Sequence, residues 1–226
     1  MFSAVIFDMD GVLIDSHPLH VRNWCQIAAE AGREVNERDL DVLFEGARRA
    51  EILRYILGEV TEREIDYFCR RKEQLFKEGE GELRMIAGVG EFLGLLEEAR
   101  VPKAVVTSGS KSRSERLLKR FQLTHHFSTV ITGDSVLIGK HDPAIFRLAF
   151  DHLGVRAEQC LLFEDSSIAI RSASILGMHA VGIAPASRAS KMFTAGAVVV
   201  APDFKSLQFG QLCARLGTGE VSNTRK

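Results

Sequence analysis

Short runs of apolar and β-branched residues recur at 4–7, 103–107, 128–131, 159–163, 179–183 and 197–200, each closed by a turn or a charge. Branched side chains lose rotamer freedom in a helix and fit a pleated, buried surface, so these runs predict strands. Between several of them apolar positions recur three and four apart, at 89–99, 111–121, 143–153 and 167–176, which predicts helices. Strands alternating with helices predict the α/β class, with a parallel sheet covered on both faces. The rhythm fails in one place. Between 16 and 83 four helical stretches, 18–31, 37–45, 48–57 and 61–78, follow one another without a convincing strand. Such an insertion predicts a separate helical domain over 16–83, a core built from 1–15 and 84–220, and a frayed tail at 221–226. The linkers are expected near 13–17 and 79–88, the second marked by Gly79, Gly81 and Gly88.

A chain of 226 residues has room for one sizeable core and a small second domain. Its 29 Lys and Arg nearly cancel its 30 Asp and Glu, so no net field draws it to nucleic acid or an anionic membrane. A small soluble molecule is the expected partner, with no obligate protein partner evident. Cys25, Cys69, Cys160 and Cys213 are too far apart for a zinc spacing and are expected as reduced thiols. The N-terminus lacks a basic region followed by a long apolar run, from which a cytoplasmic location is expected.

Candidate chemistry enters at the end of the first strand, where Asp8, Asp10 and Asp15 follow Ala4-Val5-Ile6-Phe7 and precede His17 and His20. In a parallel sheet the carboxyl ends of the strands form the binding edge. That rule gathers Asp8 with Thr107-Ser108-Gly109-Ser110, Gly133-Asp134 and Glu164-Asp165-Ser166. Clustered carboxylates repel one another unless a cation lies among them, and oxygen ligands favour Mg²⁺. Phosphoryl transfer suits such an edge: one carboxylate attacks phosphorus, a second moves the proton, and a lysine and hydroxyl, here Lys140 and Ser108, hold the phosphoryl oxygens.

Four stretches then resemble the ordered motifs of the haloacid dehalogenase superfamily. They are Asp8-Met9-Asp10-Gly11-Val12, Thr107-Ser108-Gly109-Ser110, Gly139-Lys140 before Pro143, and Phe163-Glu164-Asp165-Ser166. The resemblance implies a Rossmann-like core with an inserted helical-bundle cap, and roles for each residue. Asp8 would be nucleophile and metal ligand, and Asp10 the general acid/base with its main-chain carbonyl on the metal. Ser108, Gly109 and Lys140 would hold phosphate, and Glu164 and Asp165 would complete the Mg²⁺ site. Asp10 sets the chain apart from the dehalogenating members and implies a phosphatase acting on a small phosphorylated metabolite, a sugar phosphate above all. The alternative is a β-phosphoglucomutase, since His20, Trp24, Gly46, Arg49 and Lys72 resemble that enzyme's substrate-facing cap residues.

Other residues carry plainer expectations. Asp15 should cap or brace the helix beginning near Pro18, and Trp24 should lie in the cap core. His20 either packs or bonds a hinge carbonyl after Asp10, coupling cap closure to proton transfer. Lys72 and Lys111 sit on charged faces where solvent exposure is expected, and Arg48 should face solvent. His125 and His126, as neighbours on a regular element, should point apart and serve as surface residues. A non-catalytic Mg²⁺-binding domain would not need Lys140 or Ser108, and an interaction protein should expose a broad apolar patch.

Overall fold

The computed structural model describes residues 2–36, 40, 47, 49–135, 140, 142–207, 212 and 216. Six strands, β1 (Ala4–Phe7), β2 (Lys103–Val106), β3 (Thr129–Ile131), β4 (Cys160–Glu164), β5 (His179–Ile183) and β6 (Ala197–Ala201), form one sheet in the order β3-β2-β1-β4-β5-β6. All the pairings are parallel. This is the predicted Rossmann-like core. Strand alternation divides its interior: Val5 and Phe7 pack into one layer with Phe92, Leu93, Leu117 and Leu118. Ala4 and Ile6 pack into the other with Ile145, Phe146 and Ile170. Because β1 is buried on both faces, it reads as an unbroken apolar run rather than an alternating one.

Between β1 and β2 lie α1 (His17–Glu30), α2 (Arg49–Leu57) and α3 (Glu62–Gly79). They bury a hydrophobic cluster of their own around Trp24, Ile27, Leu53, Ile65 and Leu75, so Trp24 belongs to the cap core. The stretch at 37–45 and Arg48 lie outside the described residues, apart from Leu40, which is fully buried. Local chemistry explains the start of α3, where Thr61 and Glu64 form a reciprocal capping box. The two linkers run side by side: Ile14 bridges Met85, the Asp15 N–H donates to Arg84 O at 2.9 Å, and the Ile86 N–H donates to Leu13 O at 3.1 Å.

The core helices are α4 (Val89–Glu98), α5 (Lys111–Arg120), α6 (Ala144–Leu153), α7 (Ser167–Ile175) and α8 (Ala189–Ala195). The last is not expected from the pattern; seven residues between β5 and β6 are too few for a clear period. Asp15 does not cap α1. Ser16 is the N-cap residue, without a side-chain cap bond of its own, and Asp15 is exposed. His125 and His126 do not point apart, because they sit in a one-turn 3₁₀ segment with ring centroids 4.0 Å from one another. His126 Nδ1 is 2.7 Å from Glu97 Oε2. Cys25, Cys69 and Cys160 form no disulfide among the described residues, while Cys213 and the tail lie outside them. No helix among the described residues is long and apolar enough to cross a membrane.

Candidate active site

A pocket opens at the carboxyl edge of the sheet, under the cap, where β1 and β4 lie side by side and the strand order changes direction. Phe7 pairs with Phe163, which sets Asp8 beside Glu164 and Asp165. One oxygen from each of these three carboxylates lies within 4.8 Å of the others. Gly11 allows the sharp turn away from the edge: its φ is +75°, and a Cβ there would collide with the His17 ring.

Lys140 Nζ sits 2.6 Å from Asp8 Oδ1 and 2.7 Å from Glu164 Oε2. The other Glu164 oxygen accepts the N–H groups of Asp165 and Ser166, each at 3.1 Å, so its carboxylate has no freedom to turn. Burial works against the charge on Lys140, but the two carboxylates outweigh it and push its pKa up. Burial, with neighbouring negative charge, raises Asp8 and lifts Glu164 to about 7 despite Lys140. Asp165 is also buried, yet His17 Nε2, 2.8 Å from its Oδ2, brings its pKa down. Three buried carboxylates thus share one ammonium and one imidazole. An all-oxygen donor set with surplus negative charge fits a hard divalent cation.

The upper wall of the pocket is different. Asp10 Oδ1 accepts from Ser16 Oγ at 2.7 Å and lies 3.4 Å from His20 Nε2, while Asp10 Oδ2 pairs with Arg113 Nη2. Although burial raises the Asp10 pKa, Arg113, His20 and Ser16 hold it well below the usual carboxylate range. His20 Nδ1 meets Lys72 Nζ at 2.9 Å. A neutral imidazole has one acceptor nitrogen, so accepting from Lys72 leaves Nε2–H to donate to Asp10. Burial and the Lys72 charge depress His20 to about 3. Lys72 is itself only 3% exposed, lies 5.4 Å from the Trp24 ring centre, and is lowered to about 7 by burial and by Arg113 and Arg49.

The structure brings Asp8, Asp10, Ser108, Gly109, Lys140, Glu164, Asp165, His20, Trp24, Arg49 and Lys72 to one pocket. Gly46 lies outside the described residues. Three expectations need correction. Lys72 is buried, because it lies on the apolar stripe of α3 with Ile65, Leu75 and Phe76 that packs onto α1 and the core, while the charged face of the helix stays in solvent. His20 does pack, its ring centre 5.0 Å from that of Phe76, but its nitrogens engage the Asp10 carboxylate and Lys72 in place of the expected hinge carbonyl. Asp15 leaves the helix start to Ser16, whose hydroxyl turns to Asp10. Lys111, by contrast, is exposed as expected. Arg49 reaches the pocket while pairing with Glu73 at 3.0 Å.

Sequence reasoning misses Ser16, His17 and Arg113. His17 and Ser16 lie where the linker enters α1, close enough to the first motif to fold back over it. Arg113 carries a signal: it falls in the first turn of a helix that starts at the sheet edge, where a cation opposes the helix dipole.

A parallel sheet in this order, an acid-rich edge with a bridging lysine, and helices inserted after the first strand define a capped hydrolase of the phosphoryl-transfer type. The family model described as haloacid dehalogenase-like hydrolase matches residues 5–183, and the chain belongs to that family. It is an enzyme of the phosphatase and phosphomutase kind. Among curated relatives, it is 31% identical over 183 residues to the phosphorylated carbohydrates phosphatase of Thermotoga maritima, covering 79% of this chain and 83% of that protein. It is 28% identical over 187 residues to the fructose-1-phosphate phosphatase YqaB of Escherichia coli, covering 80% of this chain and 96% of that protein. The crystal structure of β-phosphoglucomutase from Clostridium difficile has the same fold, with a TM-score of 0.83 at 22% identity over 96% of this chain and 98% of that one.

Proposed function

We propose that this protein is a Mg²⁺-dependent phosphatase that hydrolyses a small phosphorylated carbohydrate through a phosphorylated Asp8. The observation that carries this reading is Lys140, whose ammonium bridges Asp8 and Glu164 at 2.6 and 2.7 Å on the pocket floor. A lysine so placed aligns the Asp8 carboxylate and offsets charge on a phosphoryl group arriving there. Asp8 Oδ attacks phosphorus as the P–O bond to the sugar breaks, and the departing oxygen takes a proton from Asp10. Asp10 must first gain that proton against the pull of Arg113, His20 and Ser16, as the approach of the anionic substrate favours. Water then attacks the same phosphorus, the Asp8–phosphorus bond breaks with its electron pair returning to Asp8, and Asp10 receives the proton from water. Ser108 and Gly109, in the turn after β2, line the place where the phosphoryl oxygens would sit.

Asp8, Glu164, Asp165 and the Asp10 main-chain carbonyl would hold Mg²⁺, which when bound supplies positive charge opposite the transferring phosphoryl oxygens. The cap supplies the other half of the site. Residues 16–83 act as a domain that closes over the substrate and excludes bulk water, with His20, Trp24, Arg49 and Lys72 facing the sugar side. Similarity to carbohydrate phosphatases supports the substrate class, and a pocket wall rich in cations and hydrogen-bond donors suits a hydroxylated, anionic ligand.

The test follows phosphorus and sugar together. With Mg²⁺ present, fructose 1-phosphate and β-glucose 1-phosphate primed with glucose 1,6-bisphosphate are each monitored by ³¹P NMR. Inorganic phosphate released from either ester, and abolished by a chelator, is the expected outcome. Conversion of β-glucose 1-phosphate to glucose 6-phosphate without inorganic phosphate would replace hydrolysis with mutase chemistry.

A further inference from the structure

Arg113 stands where local physics disfavours a cation. It lies in the first turn of α5, a turn with no acidic residue, at the end of the helix where the peptide dipoles already place positive charge. It is 4% exposed, and its buried Nε has no hydrogen-bond partner among the described residues. Burying a guanidinium with a donor left over carries a desolvation cost that one good carboxylate contact can offset. That contact is Asp10: Nη2 donates to Oδ2, whereas His20 Nε2, 3.1 Å from Nη1, carries the proton directed at Asp10 and accepts nothing from Arg113. The guanidinium also lies 5.0 Å from the Phe76 ring centre on the cap. Room for it is made by Gly109, where a Cβ would collide with the guanidinium.

Asp10 is therefore held from three sides. Ser16 at the hinge and His20 on the cap take Oδ1, and Arg113 on a core helix takes Oδ2. Without Arg113 each of the remaining side-chain donors to Asp10 described here would come from the linker or the cap, and the carboxylate would move with them. We propose that Arg113 is a positioning residue for the proton-transfer step: it anchors the Asp10 carboxylate to the rigid core, so that cap closure brings His20 and the substrate oxygen to a carboxylate already in place. A planar guanidinium suits this task because its donors fix an orientation as well as a charge, which an ammonium does not. The gain is one of geometry, since a displaced acid or base loses much of the advantage of being held near the reacting oxygen. This role rests on the hydrolytic reading above.

The measurement compares wild type, Arg113→Met and Arg113→Lys on fructose 1-phosphate and p-nitrophenyl phosphate, at saturating Mg²⁺. The parameter kcat/KM covers steps through departure of the alcohol, and a sugar alkoxide needs a proton that a nitrophenolate scarcely does. Loss of Asp10 positioning lowers kcat/KM for fructose 1-phosphate by about 100-fold, through kcat, and for p-nitrophenyl phosphate by only a few-fold. Added guanidinium ion restores part of the lost rate in Arg113→Met, and Arg113→Lys falls between wild type and Met. Equal losses on both esters without guanidinium rescue, or unchanged kinetics in a folded variant, would overturn the assignment. Should the Met variant not fold, the Lys variant carries the same two-ester comparison. Wild-type protein that hydrolyses neither ester overturns the hydrolytic reading, and Arg113's role with it; wild-type turnover with insensitive variants overturns Arg113 alone.

Discussion

On the floor of the pocket the carboxylates sit at the ends of strands, whereas on the rim the groups around Asp10 come from helices and a linker. Asp8 and Glu164 are neighbours because Phe7 and Phe163 share a register in one sheet. Arg113, His20 and Lys72 meet because α5, α1 and α3 dock at particular rotations. The floor uses backbone geometry that hydrogen-bonded strands impose. The rim adds to one contact within the core, Arg113 with Asp10, side-chain contacts from His20 that exist only while cap and core are packed together. A site built this way can keep Asp8 and Asp10 fixed on the core while the groups that face the substrate change partners with the cap.

The sharpest break in that comparison is Asp8→Asn, a floor substitution that keeps shape and removes the proposed nucleophile. Turnover should fall by more than about 1,000-fold while the fold persists, read by phosphate release together with circular dichroism. Next comes Lys140→Met, which leaves Asp8 and Glu164 buried without their shared ammonium. A loss of about 3–5 kcal/mol in urea unfolding is expected, the cost of breaking a buried ion pair from one side. A floor that tolerates this change would not depend on the Lys140 bridge.

The rim is tested more gently by Lys72→Met. The folded pKa of Lys72 lies at about 7, below its ordinary value of 10.5, so between those values the unfolded chain holds a proton that the folded chain does not. Its contribution therefore makes stability rise as pH increases from about 7 towards 10.5, and removing it should flatten that rise. Thermal unfolding of variant and wild type across pH values from about 6 to 10 reads the difference; parallel curves would mean Lys72 stays charged in the folded protein. The smallest effect belongs to Arg22→Ala. Arg22 pairs with Glu82 at 2.7 Å, but their side chains are 53% and 65% exposed, so solvent screens the pair. Its unfolding midpoint and kinetics should match wild type, which separates pocket cations from those on the cap's outer face.

Much of this architecture is legible in the order of the amino acids. The six strands fall at the apolar runs, and Asp8, Ser108, Glu164 and Asp165 follow from the rule that parallel strands present their carboxyl ends together. What escapes is the orientation of helix faces. The charged surface of α3 does face water, but Lys72 belongs to the opposite stripe with Ile65, Leu75 and Phe76, which carries it into contact with His20 and Trp24. Asp15 looks like the helix brace, yet its neighbour Ser16 turns to Asp10. Arg113 reads as one more basic residue in a helix containing Lys111, Lys119 and Arg120.

The sequence by itself determined the strands, the point where the helical insertion interrupts them, and the acids at the strand ends, because two-sided burial and chain order leave a parallel sheet few alternatives. Only the tertiary structure decided that Arg113, His20, Lys72 and Ser16 gather around Asp10, and that His17 reaches Asp165. Those contacts depend on how far each helix is rotated and where the cap docks, and an amphipathic pattern states which face is polar without stating what that face will meet.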